Sequence, residues 1–494
     1  MVRLLHILIP FAIVSPIIVL LAFGDYRLSV FESAMSSWQH VLSLSLLQAA
    51  LSGLVASLLG FIFAFGLFHL PTRSLRHRLA CACYLLPALL PPISVATAVI
   101  RFADLVGAHF TGLWAIVLTH GLMNAGLVAV ALDSYFKSYL GGLTATAQVL
   151  GTKTWLLIRR VLVPLLTPKL FSLFLLVFGF CLMSFVTPLL LAPGETWSVE
   201  VLIYQAFRQS SRLDLALWMS LLQMALVAWL VLAVFPQIQS VSSQISHSQK
   251  TLGHIVFAVT PIVFSIALVT LPLIEVVEIR SLMSESEGMF FSDWIRALQK
   301  TLIIVTLSVL VSFLLLIAVL YAFPRQRLHK FLNSAVGFSP VLLGFSFWLL
   351  GANFSPVSEL KIASAISLFF LPVFYRWLIG DHLQNLQGQR QVARAMGASD
   401  WQVFWGIVWP QSKTLILICL SLICLWSAGD FVMTSLVSFS SSSLPQLVET
   451  LSTGYRLGLA QLTSLSILVV GGLSAGTVWG LFVLFEKLSW GERV

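Results

Sequence analysis

Two segments of this chain repeat one spacing of small, turn-forming and rigid residues. In the first, Ala145-Thr146-Ala147-Gln148-Val149-Leu150-Gly151 is followed by nine residues and then Val161-Leu162-Val163-Pro164. In the second, Gln391-Val392-Ala393-Arg394-Ala395-Met396-Gly397 is followed by nine residues and then Ile407-Val408-Trp409-Pro410. These residue types suit mechanical coupling rather than bond-making. Ala147 and Ala393 are small enough for a short helix to pack closely. Gly151 and Gly397 can take the left-handed conformation that ends a helix and turns the chain. The amphipathic stretches that follow carry Trp155, Trp401 and Phe404, rigid anchors for a groove on a partner. Pro164 and Pro410 are then expected to limit those short helices and aim the chain away.

A second kind of chemistry is recognition of a passing solute. Asp430 is read as the one acid within an apolar span, where a carboxylate costs several kcal/mol unless paired, hydrated or facing a cavity. It therefore marks a candidate substrate path, with Trp426, Phe431 and Phe185 nearby in sequence offering aromatic faces to a cation. Ser184 holds the matching place in the first half of the chain. The plainer alternative for Asp430 is an acid at the outer mouth or a helix-packing hydrogen bond.

Other reactive groups point to no chemistry. Cys81, Cys83, Cys181, Cys419 and Cys424 all lie in apolar stretches, which argues against a disulfide framework, and the ten histidines form no pair at metal-ligand spacing. No metal and no cofactor are expected. A phosphate loop of the form Gly-x4-Gly-Lys-Ser/Thr is absent from the sequence, so ATP hydrolysis is expected only from another polypeptide, and this chain is not read as an enzyme.

The elements that must position these groups follow from composition. With 59% hydrophobic and 10% charged residues and a mean hydropathy of +0.97, the 494-residue chain cannot be one soluble core in a polar shell. Its partner is the lipid bilayer. Apolar runs near 4–23, 41–69, 80–100, 113–136, 169–192 and 215–236 read as six spans, and runs near 253–275, 298–323, 331–352, 362–380, 413–437 and 463–485 as six more. The first run, opened by Arg3, is expected to stay as an uncleaved helix. The net charge of +9 is distributed as membrane topology requires. If the N-terminus is cytoplasmic, the basic residues Arg73, Arg76, Arg78, Lys153, Arg159, Arg160, Arg325, Arg327 and Lys330 fall inside, and most acids fall outside. No basic segment with interleaved aromatics lies beyond the spans, which argues against nucleic acid.

The Ser/Gln-rich stretch 237–252 divides the chain into a first unit, 1–236, and a second, 253–494. Leu51-Ser52 and Leu54-Val55 match Leu307-Ser308 and Leu310-Val311. Pro87 with Leu89-Leu90 matches Pro340 with Leu342-Leu343. Gly151, Trp155 and Pro164 match Gly397, Trp401 and Pro410, and Arg212-Leu213 matches Arg456-Leu457. Their separation drifts slowly, from 256 to 253, 246 and 244 residues, as a duplication with small loop deletions would leave it. Units with an even number of spans sit the same way up, so the repeats are expected to be parallel.

The paired loops resemble the cytoplasmic signature of ATP-binding-cassette importer permeases, Glu-Ala-Ala-x3-Gly-x9-Ile-x-Leu-Pro. The resemblance covers the whole chain. It implies an all-α integral membrane protein of about twelve transmembrane helices in two parallel six-helix repeats, the type I importer fold. It also implies a multi-pass location in the cytoplasmic (inner) membrane with both termini cytoplasmic, a homodimeric ATPase subunit, and a periplasmic substrate-binding protein. The two loops would be the helices that insert into the ATPase dimer. The signature's first Glu is Ala145 in one loop and Gln391 in the other, so any ion pair it makes is absent here. The segments Cys181–Thr187, Ser427–Phe431 and Val201–Ala206 look most like thiamine permeases, implying thiamine or its phosphates as substrate, with ferric-iron permeases next. A twelve-helix secondary carrier is the rival class; such carriers commonly place several ionisable groups in their spans.

Overall fold

The computed structural model describes residues 2–23, 28–68, 70, 74–149, 156, 159–160, 163–195, 197–208, 212–234, 259–270, 287–323, 326–335, 339–350, 355–437, 442–454 and 456–491. The expected linker 237–252, together with Gly151 and Trp155, lies outside them. No strand occurs among the described residues. In the first part of the chain the helices are α1 (Val2–Phe23), α2 (Leu28–Phe68), α3 (Leu75–Leu89), α4 (Pro92–Val106) and α5 (Leu113–Val149). Then come α6 (Val163–Leu182), α7 (Val186–Leu191), α8 (Val199–Arg208), α9 (Leu213–Val234) and α10 (Val259–Thr270). The second part holds α11 (Glu287–Ala322), α12 (Gln326–Ser334), α13 (Pro340–Leu349), α14 (Ser355–Phe374) and α15 (Gly380–Ala395). It ends with α16 (Asp400–Val403), α17 (Trp409–Ala428), α18 (Val432–Val437), α19 (Leu444–Thr453) and α20 (Leu457–Gly491).

Apolar sequence of this kind folds as helices because each backbone group is then satisfied within its own segment, with no need of water. Among the described residues, six helical stretches are long and apolar enough to cross a membrane: Trp38–Phe68, Leu113–Asp133, Phe290–Ala322, Ser358–Ala395, Asp400–Ala428 and Leu457–Leu484. The pair α3 and α4 makes a seventh if taken together, bent by 92°. Each remaining expected span overlaps a shorter apolar helix: Leu4–Ser15, Leu166–Leu182, Asp214–Val227, Val259–Thr270 or Pro340–Leu349. Local chemistry explains the interruptions. Pro91 and Pro92 cannot donate to the preceding turn, so the expected span 80–100 breaks after Leu89. The expected spans 169–192 and 413–437 both break before a six-residue helix, at Met183–Phe185 and at Gly429–Phe431.

Two stretches of chain carry the same run of helix lengths. Helices α6 and α17 each have 20 residues, α7 and α18 each have 6, and α8 and α19 each have 10. Proline corrects the register expected between them. Pro87 lies inside α3, whereas Pro340 opens α13 as Pro92 opens α4, so Pro92 is the counterpart of Pro340.

Packing divides the chain into two compact units. One comprises Met1–Met35, Ile203–Leu232 and Ile279–Val494; the other comprises Ser36–Leu202 and Ala233–Glu278. In the first, α11 packs on α14 and α17, α17 on α20, α19 on α20, and α1 along α11 and α13. Its core gathers Leu316, Leu332, Ile362, Ile366, Ile423 and Met433. Lipid tails are as apolar as leucine, so close packing and interhelical hydrogen bonds must hold such helices together. The second unit shows both devices. A Cβ on Gly126 of α5 would sit 1.8 Å from the Tyr84 carbonyl oxygen of α3, so only glycine permits that approach. The Gln48 amide donates to the Cys181 carbonyl at 2.9 Å, and the Val199 amide donates to Ser45 Oγ at 2.9 Å. In the first unit the Leu444 amide donates to Thr301 Oγ1 at 3.0 Å, a bond of the same kind at the matching helix start.

Candidate functional site

The segment Gln391–Pro410 is built by helix α15, a turn and a second helical run. Helix α15 is amphipathic: Leu383, Leu386 and Ala393 are buried, while Gln391, Val392, Arg394 and Ala395 are exposed. Ala393 packs inward as its size allows. Gly397 adopts φ +89, and the backbone closes a helix stop around it: the Gly397 amide donates to the Arg394 carbonyl and the Ala398 amide to the Ala393 carbonyl, both at 3.0 Å. A Cβ on Gly397 would touch nothing within 4 Å, so the dihedral alone demands glycine. Ser399 then starts α16 with a capping box, accepting from the Gln402 amide at 3.3 Å while the Gln402 side chain accepts from the Ser399 amide at 2.8 Å.

Past this point the structure departs from expectation. Pro410 does not stop the short helix; the helical run continues from Asp400 to Ala428 through a wide π-type turn, Phe404–Val408. A proline ring excludes the carbonyl four residues back and supplies no amide. The wider turn, closed by the Trp409 amide on the Phe404 carbonyl, lets the helix pass that residue. The expected aromatic anchors also part company. Trp401 is 57% exposed, whereas Phe404 is 4% exposed and packs its ring 5.4 Å from Tyr321. Trp405, one turn beyond Trp401 and 46% exposed, takes the outward place, its ring 5.5 Å from that of Trp401. The i, i+4 spacing from Trp401 is the signal that finds it. Val392 and Met396, 59% and 77% exposed, extend this apolar surface.

Charge ties the loop together. The Arg394 guanidinium contacts Asp400 Oδ1, Arg390 Nη2 lies 3.8 Å from the same oxygen, and the Arg390 guanidinium sits 4.2 Å above the Phe323 ring. In the first series, Ala145 and Ala147 lie in α5, with their side chains outside the description, and Pro164 is exposed at the second position of α6, as Pro410 is at the second position of α17. Arg159 and Arg160, exposed and in π conformation, stand where Trp405 and Gly406 stand in the second series.

The path candidates occupy the breaks rather than the helices. Asp430 lies between α17 and α18, where its Oδ1 accepts from the Met433 amide at 2.7 Å and its carbonyl accepts from Thr434 Oγ1 at 2.6 Å. Phe431 is buried, 6.3 Å from the Tyr204 ring, and Trp426 stacks 4.6 Å from Phe370 and 5.9 Å from Phe374. In the other unit, Ser184 Oγ shares a 2.9 Å hydrogen bond with His120 Nε2, and its carbonyl accepts from Ser198 Oγ at 2.8 Å; Phe185, buried, opens α7.

Asp430 is not alone as an acid in apolar surroundings. Asp133, 2% exposed at the end of the apolar helix Leu113–Asp133, lies 2.8 Å from His77 Nε2. It lies near the end of the expected span 113–136, where an acid reads as part of the following loop, and its partner stands on another helix, α3. Lys300, also buried, lies within Phe290–Ala322. His329 on α12 holds a matching place in the second series. Its Nδ1 shares a 2.7 Å bond with the Tyr375 hydroxyl, and its Nε2 accepts from Gln384 and Asn333 at 2.9 and 3.0 Å. Burial holds its pKa below the ordinary histidine range, against the upward pull of Asp381.

The helices define an all-α, multi-pass membrane protein, and two proteins to which parts of the chain are similar are named as permeases. The chain is 28% identical over 206 residues to the thiamine transport system permease protein ThiP of Escherichia coli (strain K12), covering 39% of this chain and 38% of that protein. It is 26% identical over 167 residues to sulfate permease 2, chloroplastic, of Chlamydomonas reinhardtii, covering 31% of this chain and 45% of that protein. The matched segments therefore span less than half the length of either relative. No family model and no solved structure matches the chain.

Proposed function

We propose that this chain is the membrane-spanning permease of an ATP-binding-cassette importer, two fused six-helix halves that form a substrate path and couple it to a homodimeric ATPase made elsewhere. The observation that carries the reading is the surface at Gln391–Pro410. A helix stop at a left-handed glycine, a capped restart and an outward pair of tryptophans present an apolar patch at the start of a long helical run. A patch of exposed aromatics at the start of the helical run Asp400–Ala428 is suited to fill a groove on another protein. The recurrence of the spacing in the first half, and the recurring helix lengths of 20, 6 and 10 residues, support two copies of one unit. The mechanism follows. ATP closes the ATPase dimer, the two loops move together, and the path turns outward to receive substrate from a periplasmic binding protein.

The substrate proposed is thiamine or one of its phosphates, supported by the segment similar to a thiamine permease and by aromatic residues beside Asp430. The similarity to a sulfate permease favours an anion as the second reading, and ferric iron is the third. The inner membrane, with both termini cytoplasmic, is the proposed location. Purification of the tagged chain from its native membrane tests the core of the proposal: an ATPase subunit is expected to accompany it in two copies per chain. A chain that purifies without an ATPase and imports solute on an ion gradient after ATP depletion belongs instead to the secondary carriers. Binding of thiamine, sulfate and ferric iron by the binding protein that supports uptake then assigns the substrate.

A further inference from the structure

The turn between α15 and α16 has little packing to hold it. Arg394 through Gly397 are exposed, and glycine at the pivot allows a wide range of backbone angles. The backbone stop and the capping box fix each helix end, but neither fixes the angle between the two helices. Farther from the pivot, Gln411 donates to Gln389 at 2.7 Å and His382 shares a 3.1 Å bond with Ser412, tying α15 to the helical run beyond; nearest the pivot, the side chains of Arg390, Arg394 and Asp400 bridge that angle. Arg390 and Arg394 are one turn apart on the same face of α15, and Asp400 opens α16 beyond the pivot. Arg390 is the most shielded of the three, with its side chain 17% exposed against 34% for Asp400 and 43% for Arg394. Its guanidinium lies over Phe323, the buried residue that ends α11 at φ +45. Such a cation over an aromatic face is worth more as water is excluded.

We propose that Asp400 is the positioning residue of this loop: it clasps Arg394 and Arg390 and, through Arg390 and Phe323, links the outward tryptophan surface to the end of the long helix α11. The assignment rests on the loop being ATPase-facing, as proposed above. Two kinds of link then join the loop to α11, and Trp401 takes part in the apolar kind with its ring 6.3 Å from that of Tyr321. One is apolar, Tyr321 against Phe404; the other is ionic, and it can be cut without opening a cavity. Movement of the Trp401 and Trp405 surface reaches α11 through both.

The test uses the whole transporter, with its ATPase and binding protein, in proteoliposomes, reading substrate imported per ATP hydrolysed. Asp400→Asn is expected to lower that ratio about two- to five-fold, the effect of losing a half-exposed ion pair, while the complex forms in normal amount and still hydrolyses ATP. Asp400→Glu is expected to keep most of the ratio, and the double exchange Arg394→Asp with Asp400→Arg to restore part of it. A merely structural role would lower the amount of complex and would gain nothing from the exchange. An unchanged ratio in Asp400→Asn, or an exchange no better than the single variant, overturns the proposal. If Asp400→Asn reduces the amount of chain in the membrane, Arg394→Gln takes its place with the same reading. Import by the parent chain that does not depend on the ATPase overturns the functional reading instead, and that control separates the two failures.

Discussion

Met433 donates its amide to Asp430 Oδ1, a bond that asparagine can keep and alanine cannot. The two substitutions therefore separate capping from charge. Asp430→Ala is expected to destabilise the chain by about 1 kcal/mol through the lost cap. Asp430→Asn is expected to leave thermal stability near the parent's and to lower uptake if the carboxylate meets the solute. Uptake equal to the parent's in Asp430→Asn removes Asp430 from the path. The aromatic residues of the loop make a second contrast. Replacing Trp401 and Trp405 with alanine is expected to weaken co-purification with the ATPase at little cost in folding, because both side chains are substantially exposed. Phe404→Ala, at a buried position, is expected to cost about 3 kcal/mol of stability. Equal loss of folded chain in both variants would show that the outward tryptophans serve packing alone.

Turns and helix ends control the behaviour of the elements. At Gly397 an alanine would meet no neighbour but would have to hold φ +89, at a cost of about 1–2 kcal/mol. Gly397→Ala is expected to slow ATP-driven uptake while the chain remains in the membrane; normal uptake would mean that the turn can form another way. The contact of His329 on α12 with Tyr375 and with Gln384 of α15 carries a pH dependence. His329 is held neutral by burial and by two donors to Nε2, so its contribution to stability is complete above the ordinary histidine pKa of ~6.5 and is lost as pH falls from there toward its lower folded value. Thermal unfolding in detergent is expected to show this loss in the parent chain and a flatter profile in His329→Gln.

These elements also show what sequence alone discloses. Gly397 was legible because a helix stop after a small-residue face needs a positive φ, and glycine supplies it. Pro410 misled because its rule, that proline ends a helix, holds only for the ordinary turn; the π-type turn at Phe404–Val408 is a tertiary accommodation with no mark in the residue types. The sides taken by Phe404 and Trp405 depend on Tyr321, far away in sequence. The His77–Asp133 pair was hidden for the same reason, since its members stand on different helices. Six of the twelve expected spans correspond to described helices long and apolar enough to cross a membrane; the others are shorter or broken where local chemistry intervenes, as at Pro91 and Pro92, and the break at Asp430 turns on one capping bond.

For the whole molecule, the matching helix lengths and the paired Val199–Ser45 and Leu444–Thr301 bonds suit a duplication that kept its scaffold while its two breaks diverged. One break carries Asp430 as a cap, and the other carries Ser184 bonded to His120. Both loops keep a glycine and a proline at one spacing, while Arg159 stands for Trp405 and the two breaks carry different polar groups. Uptake of labelled substrate into proteoliposomes holding this chain, its ATPase and its binding protein tests the proposed function most directly. It predicts accumulation that requires ATP and all three components, and that persists when ion gradients are dissipated. Accumulation without ATP that collapses with the ion gradient would contradict it.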